Sequence, residues 1–267
     1  MAVSLGRKPP AWEGLFSGLM FVFMYLPILV LAVFSFNTSR FSARWEGFTL
    51  NWYGRFLQNE ALLGALRNSL VVALSAVAVS IVIGTLMAVG LARFRFPGKG
   101  LYRGVSYLPL IVPDISIAVA TLVFFAAVAF PLSIITVIIA HTVFCLSYIA
   151  LVVSSRLSGL NPHLEEAALD LGATPVQAFI KVLLPQLVPG ILSGALLAFV
   201  LSMDDFLIAS FTAGVGSATL PMAIYASIRS GVTPEINALS VILILASALV
   251  AGLAEFVRHM GDQRQVR

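Results

Sequence analysis

The feature that most constrains this chain is a series of long apolar segments, each near the length that crosses a lipid bilayer. Six segments qualify, at residues 14–36, 64–92, 104–129, 132–155, 187–212 and 236–257. A helix needs about 20 mainly apolar residues to cross the hydrocarbon, and helices are expected because a backbone in lipid must satisfy its own hydrogen bonds. The sequence therefore predicts an all-α membrane protein with six transmembrane helices.

The composition also indicates that lipid is the solvent for most of the chain. Of its 267 residues, 60% are hydrophobic and 10% are charged, whereas a soluble domain has about 25% charged residues. We attribute the net charge of +4 to basic loops in the cytoplasm rather than to a nucleic-acid partner. The single cysteine, Cys145, forms neither an intrachain disulfide nor a metal site.

The basic residues predict the orientation of the chain. With the N-terminus inside, cytoplasmic segments carry eleven lysines and arginines and outer segments carry five. This excess places both termini in the cytoplasm. We divide the chain into a first span with its outer loop (1–63), a core transmembrane domain (64–258) and a cytoplasmic tail (259–267). Residues 14–36 are too long for a signal-peptide core, so we expect an uncleaved span.

Two features interrupt the apolar pattern in the middle of the chain. Pro109 and Pro113 lie inside the third segment, where each removes a backbone donor and predicts a kink. Phe130 and Pro131 are the short break between the third and fourth segments, which predicts a tight hairpin.

The loop at 158–189 is too polar to span the membrane and contains strong helix-capping signals. We predict two short helices, Pro162–Leu171 and Pro175–Leu184. The first has Asn161 before a proline, with Glu165 and Glu166 in its first turn, and Gly172 ends it.

The second loop helix begins with a capping box, because Gln177 follows Thr174 at a spacing of three residues. Pro185 and Pro189 are expected to close it. Such capping predicts a rigid cytoplasmic knob, suited to mechanical contact with a partner. An ordinary pair of interfacial helices is the alternative.

The same loop carries a recognisable motif. Glu166-Ala167-Ala168, Gly172 and Val182-Leu183-Leu184-Pro185 match the pattern E-A-A-x3-G-x9-I-x-L-P, with valine in place of isoleucine. The segment resembles the signature of permease subunits of binding-protein-dependent ABC importers. The resemblance implies the type I importer permease fold in a bacterial inner membrane, with this loop as a coupling helix against an ATPase. It implies that Glu166, Ala167, Ala168, Gly172 and Pro185 form that contact.

The family also implies the partners: a second homologous permease, a dimeric cytoplasmic ATPase and a periplasmic substrate-binding protein. The chain has no G-x4-G-K-[ST] motif. We therefore expect no cofactor and no catalytic residue in this chain, and we expect ATP and Mg²⁺ to bind the partner ATPase.

Three aspartates lie deep inside predicted spans. Asp114 is near mid-membrane in the third segment, and Asp204 and Asp205 lie towards the outer side of the fifth. Buried charges in lipid cost about 2.5–3.5 kcal/mol on insertion scales and are functional candidates. No lysine or arginine lies within the body of a span to neutralise them, so a small cationic solute is favoured. The ammonium groups of a polyamine would form charge-assisted hydrogen bonds with carboxylates, and its methylene groups would tolerate apolar walls. Alternatively, these aspartates cap broken helices or bond across helix interfaces.

Several segments around these acids strengthen the polyamine prediction by resemblance. Leu201-Ser202-Met203-Asp204-Asp205-Phe206 and the stretch from Gly231 to Ala238 resemble the second permease of spermidine/putrescine transport systems. Relatives of that group carry opines, aminoethylphosphonate or amino-acid-like solutes, which are the alternative substrates. Tyr225 is a candidate to stack on a cation, and His141 is a candidate either for the path or for a helix interface.

Two other classes of protein are less consistent with the sequence. An ion-coupled secondary transporter would need an internal repeat, and the sequence has none that is convincing. An intramembrane enzyme would need a catalytic constellation, and Asp114 with Asp205 is not accompanied by a supporting motif.

Overall fold

A computed structural model describes residues 11–39, 44–161, 163–231 and 234–265. Apart from an isolated bridge between Asn37 and Phe48, these residues form no β structure. In chain order the α-helices are α1 (Ala11–Phe34), α2 (Asn51–Phe56), α3 (Glu60–Arg93), α4 (Lys99–Tyr107), α5 (Asp114–Ala127), α6 (Ile134–Ser158), α7 (His163–Asp170), α8 (Pro175–Ala178), α9 (Leu184–Asp204), α10 (Leu207–Thr212), α11 (Leu220–Ser230) and α12 (Pro234–Gln265).

The apolar helices confirm the all-α membrane architecture. Within the described ranges, four helices are long and apolar enough to cross a bilayer: α1 from Trp12, α3, α6 and the continuous stretch Pro175–Asp204. A bent pair, Lys99–Leu110 with Asp114–Ala127, makes a fifth if it crosses as one broken span. The segment predicted as the sixth span, 236–257, lies in α12, which contributes the shorter apolar helix Pro234–Leu249.

The kink predicted in the third segment is a full break. A 3₁₀ turn at Leu108–Leu110 follows α4, and the helix axes on the two sides of the break differ by 110°. Pro109 lies in the 3₁₀ turn and Pro113 is the extended residue that precedes α5. Because neither proline donates a backbone hydrogen bond, the helix cannot continue through both positions. The segment 104–129 is therefore two helices rather than one.

The hairpin between the third and fourth segments is confirmed. α5 ends at Ala127, and α6 begins seven residues later at Ile134. Ser133 caps α6: its Oγ accepts from the Ile135 backbone N–H at 3.3 Å, and Thr136 Oγ1 accepts from the Ser133 N–H at 2.8 Å. This reciprocal cap satisfies backbone donors at the start of the helix.

The prediction that Pro185 and Pro189 end the second loop helix was wrong. α8 continues through a π-helix at Phe179–Leu183 into α9, so that Pro175–Asp204 is a single helical stretch. A proline inside a helix lacks a donor and its ring clashes with the carbonyl four residues earlier. The wider π turn, which bonds five residues apart, relieves this conflict for Pro185. Pro189 lies inside α9.

The fifth span also ends differently from the prediction of one helix over 187–212. α9 stops at Asp204, Asp205 is extended with φ −68° and ψ 122°, and α10 resumes at Leu207. The break therefore falls inside the predicted apolar segment.

The chain forms two compact units, and the larger is Ala61–Tyr225. In this unit α6 makes its most extensive contacts with α9. Glycines allow the close approach: a Cβ at Gly84 of α3 would lie 2.9 Å from the Leu146 carbonyl oxygen, and a Cβ at Gly194 of α9 would lie 3.2 Å from Ile149 Cα. Ile149 itself is fully buried, so small residues on two helices pack on one face of α6.

The smaller unit comprises Met1–Glu60 and Ala226–Arg267, in which α12 contacts α1 and α2. Asn37 is fully buried and organises the outer loop of this unit. Its side chain donates to the Arg44 carbonyl oxygen at 2.6 Å and accepts from the Glu46 backbone N–H at 2.9 Å. Trp52 donates its indole N–H to the Asn37 carbonyl oxygen at 2.7 Å. The loop is therefore held by side-chain hydrogen bonds rather than by regular structure.

We expect Gly84→Ala to lower the melting temperature of the detergent-purified protein, because the new methyl group meets a backbone oxygen. Overpacking of this kind costs about 1–3 kcal/mol. Gly90→Ala on the same helix is the matched control, since a Cβ there has no atom within 4 Å. Equal melting temperatures for the two variants would contradict the close packing of α3 on α6.

Candidate functional site

A cavity of about 300 Å³ lies within the unit Ala61–Tyr225, next to both helix breaks. Acidic, aromatic and aliphatic side chains line it: Pro109, Asp114, Phe144, Tyr148, Leu201, Asp204, Asp205, Phe206 and Leu207. None of these nine residues is a lysine or an arginine. The three aspartates predicted from the sequence therefore lie around one cavity without a basic residue in its wall.

The two breaks explain why the aspartates meet there. Asp114 is the first residue of α5, directly after the break in the third segment. Asp204 is the last residue of α9, directly before the break in the fifth segment. Both acids therefore occupy helix ends, where a polar side chain is not covered by a following or preceding turn.

Asp114 and Asp204 face the cavity without a partner in the described part of the chain. Both residues are exposed in the chain, and among the described residues neither carboxylate has a hydrogen bond or an ion pair. The alternative that Asp114 satisfies a backbone donor at the kink is not observed, because α5 has no side-chain cap.

Asp205 has different surroundings, with a side chain that is 10% exposed. Its carboxylate accepts from the backbone N–H groups of Ile208 at 3.3 Å and Ala209 at 2.8 Å. These are bonds to the start of α10, so Asp205 caps a broken helix. The capping role that the sequence left open for the aspartate pair therefore applies to Asp205 and not to Asp204.

Of the helix ends at the cavity, the end of α9 adds to the negative charge of the acids, whereas the starts of α5 and α10 oppose it. The last carbonyl groups of a helix lack partners in the helix and carry partial negative charge. The end of α9 at Asp204 adds this negative charge beside the cavity. The partial positive charge at the start of α10 is offset by the Asp205 carboxylate that caps it. The local field therefore favours a cation.

Aromatic rings complete the wall. Phe144 and Tyr148 come from α6, and Phe206 comes from the break between α9 and α10. Tyr225, predicted to lie on the path, is not among the lining residues and packs on Phe206 with ring centroids 4.5 Å apart. Ring faces attract cations, so the cavity combines carboxylates with aromatic surface, and Tyr225 supports one of its rings.

The sequence contained an unused signal for part of this wall. Phe144 and Tyr148 are four residues apart on α6, a spacing that places side chains on one helix face. His141, three residues before Phe144, shares that face but is 1% exposed. Its Nδ1 lies 2.7 Å from Ser202 Oγ on α9. The helix-interface alternative for His141 is therefore confirmed.

The predicted knob contains the expected caps. The Asn161 side chain accepts from the His163 backbone N–H at 3.0 Å, and Pro162 lies outside the described residues. Gly172 has φ +84°, a left-handed conformation that suits glycine at a helix end. The Thr174 and Gln177 side chains form the predicted capping box, with bonds of 3.3 and 3.0 Å.

The motif residues of the knob are accessible. Glu166, Ala167, Gly172 and Pro185 are exposed, and Ala168 is half-buried. Two apolar side chains beside them are also uncovered: Leu171 is 90% exposed and Val176 is 65% exposed. A surface that mixes small, acidic and apolar residues is suited to contact with another protein.

An ion pair anchors the knob to the transmembrane core. Arg93, in the last turn of α3, lies 2.6 Å from the carboxylate of Glu165 in the first turn of α7. Both side chains are less than one third exposed. α7 also contacts the π-helix at Phe179–Leu183. The knob therefore has direct connections to the ends of two spans.

Residues 80–267 match the family model of the binding-protein-dependent transport system inner membrane component. The chain belongs to this family. It is thus an inner-membrane permease subunit of a binding-protein-dependent importer and is not itself an enzyme.

Comparisons with individual proteins agree. The permease is 40% identical over 268 residues to the putrescine transport system permease protein PotI of Escherichia coli K12, covering 98% of this chain and 95% of that protein. It is 37% identical over 247 residues to the spermidine/putrescine transport system permease protein PotC of Haemophilus influenzae, covering 92% and 96%.

A solved structure confirms the type I importer permease fold. A bacterial ABC transporter involved in the import of the acidic polysaccharide alginate superposes with a TM-score of 0.72 at 15% identity. The match covers 92% of the permease and 94% of the alginate transporter chain. At this identity the likeness shows the fold alone.

We expect Arg93→Ala to loosen the knob of the permease, because it removes the ion pair with Glu165. A partly exposed pair contributes at most about 1 kcal/mol, so backbone amides of α7 should exchange hydrogen up to about fivefold faster. Hydrogen exchange measured by mass spectrometry tests this.

Two variants control that measurement. The charge swap Arg93→Glu with Glu165→Arg should restore slow exchange. Arg95→Ala, two residues further on, should leave exchange unchanged, because Arg95 has no ion pair among the described residues. Unchanged exchange in Arg93→Ala would show that the ion pair does not hold the knob.

Proposed function

We propose that this permease imports a small organic cation, a polyamine such as putrescine or spermidine. The observation that carries the proposal is a pair of carboxylates, Asp114 and Asp204, that have no partner among the described residues and line a cavity whose nine described wall residues include no lysine or arginine. The similarity to putrescine and spermidine/putrescine permeases supports it.

The wall of the cavity matches the chemistry of a polyamine. Ammonium groups donate charge-assisted hydrogen bonds to carboxylates, which are about twice as strong as bonds between neutral groups. The methylene chain between two ammonium groups requires apolar contact, which Leu201, Phe144 and Leu207 offer. An anionic solute would meet like charge at Asp114 and Asp204. The cavity therefore favours a flexible dication over phosphate, sulfate or a phosphonate.

The proposal includes the partners and the orientation. A second homologous permease forms the other half of the path, and a periplasmic binding protein delivers the solute. A dimeric cytoplasmic ATPase binds ATP and Mg²⁺ and contacts the knob at Glu166, Ala167, Ala168, Gly172 and Pro185. The family description supports a binding protein, and the absence of a G-x4-G-K-[ST] motif supports a separate ATPase. Both termini lie in the cytoplasm, as the distribution of basic residues indicates.

In this mechanism ATP drives alternating access. Closure of the ATPase dimer on ATP moves the knob, and the ion pair between Arg93 and Glu165 passes this movement to α3. The continuous helix Pro175–Asp204 passes it from the knob to the edge of the cavity. The cavity then opens to the periplasm to receive the solute, and ATP hydrolysis returns it to the inward-open state.

We expect Asp204→Asn to lower the putrescine uptake rate by about tenfold, because one charge-assisted hydrogen bond to the solute is lost. The measurement uses the complete transporter in proteoliposomes, with ATP inside and loaded binding protein outside. Asp114→Asn should act in the same direction. Spermidine and aminoethylphosphonate, compared in the same assay, test the preference for cations.

The matched control is Asp204→Glu, which keeps the charge at the end of α9 and should retain most of the uptake. A wild-type rate for Asp204→Asn would remove this acid from the path. Faster uptake of aminoethylphosphonate than of putrescine would overturn the assignment of a cationic solute.

Glu166→Ala should uncouple ATP hydrolysis from uptake. The Glu166 carboxylate is 71% exposed and lies 2.8 Å from His163 Nδ1. Removing this carboxylate therefore leaves the core packing intact. Loss of a central interface residue reduces an interaction by about tenfold or more. We expect uptake per ATP hydrolysed to fall by that order while the binding protein still docks.

Asp170→Asn, at the other end of α7, is the control for the knob. Its uptake per ATP should equal that of the wild type. If Glu166→Ala transports at the wild-type rate, the ATPase does not dock at this residue.

A further inference from the structure

Two adjacent aspartates at the break in the fifth span have unequal surroundings, and a buried histidine lies against one of them. Asp204 is exposed at the cavity and has no partner among the described residues. Asp205 is bonded to the start of α10 and lies against His141 of α6, whose Nε2 is 3.2 Å from Asp205 Oδ2.

His141 contacts both sides of the break. Through Nδ1 it reaches Ser202 Oγ at 2.7 Å, in the last turn of α9. Through Nε2 it reaches Asp205, which caps α10. The imidazole therefore links the helix before the break, the helix after it and α6.

The contact of Nε2 with Asp205 is short, but it does not have the geometry of a hydrogen bond. His141 is 1% exposed, and its Nε2 has no hydrogen-bond partner although Asp205 Oδ2 is 3.2 Å away. A buried polar nitrogen without a partner is uncommon in folded proteins and indicates a functional constraint. A small movement of α10 relative to α6 would form or lose this bond.

We propose that His141 is a positioning residue for solute transfer. By holding Ser202 and Asp205 together, it fixes the extended backbone at Asp205 and so keeps the Asp204 carboxylate facing the cavity. This inference rests on the proposed function, in which Asp204 meets the cationic solute. His141 does not line the cavity itself, so it acts through Asp204 and not by contact with the solute.

The test is a double-mutant cycle between His141 and Asp204, measured as putrescine uptake by the complete transporter in proteoliposomes. We expect His141→Ala to lower the rate by about tenfold in the wild-type background, and to cause little further loss in Asp204→Asn, because residues that act as a unit are not additive. ATPase activity stimulated by the loaded binding protein should stay within about twofold of wild type in each variant, which reports an assembled complex.

Further variants separate positioning from general packing. His141→Gln places an amide near the position of Nε2 and should recover most of the uptake. Ser202→Ala removes the hydroxyl on α9 that contacts His141 Nδ1. If the transporter with His141→Ala fails to assemble, Ser202→Ala should show the same dependence on Asp204. Thr142→Val is the matched control, because the Thr142 hydroxyl bonds only within α6, to the Ile138 carbonyl oxygen at 2.7 Å; its rate should equal that of the wild type.

The outcomes distinguish the positioning role of His141 from the solute path at Asp204. Equal losses from His141→Ala in both backgrounds would overturn the positioning role while leaving Asp204 on the path. A wild-type rate for His141→Ala or for Ser202→Ala would also overturn it. A wild-type rate for Asp204→Asn alone would contradict the proposed solute path itself, and the role of His141 with it.

Discussion

A backbone that lies in hydrocarbon must satisfy its own hydrogen bonds, and this constraint determines where the permease can interrupt its helices. Each unsatisfied backbone group in lipid costs several kcal/mol, so a break persists only where protein groups replace the missing bonds. At the break in the fifth span the Asp205 carboxylate provides this replacement for the amides of Ile208 and Ala209. The position of a side-chain acceptor therefore fixes the position of the break.

The break then determines the electrostatics of the cavity. Because the charge of Asp205 is used to cap α10, the charge of Asp204 at the end of α9 has no partner in the described part of the chain. The second break, created by Pro109 and Pro113, places Asp114 at the start of α5 beside the same cavity. Two helix interruptions with different local causes thus bring two unpaired acids together. Neither acid would face a cavity if its span were one continuous helix.

The sequence predicted the features that depend on neighbouring residues and missed those that depend on contacts between helices. The caps at Asn161 and Thr174, the turn at Gly172 and an interruption at Pro109 and Pro113, predicted as a kink, follow from short-range chemistry. The continuation of the helix through Pro185 was missed, because it depends on a π turn that no residue pattern predicts. The division of roles between Asp204 and Asp205 was also missed. It follows from the end of α9 between the two acids, which the apolar pattern over 187–212 does not indicate.

The fold restricts the solute much less than the cavity wall does. A transporter involved in the import of an acidic polysaccharide has the same fold at 15% identity, so the helix arrangement alone does not specify the solute. Polar side chains inside a membrane protein lie where they face the protein interior or a cavity, and the two helix interruptions provide such positions. In this permease those positions hold aspartates and aromatic rings and no basic residue. The charge of the cavity wall is therefore a property of a few residues next to two helix breaks, and substitutions there can change that charge without changing the fold.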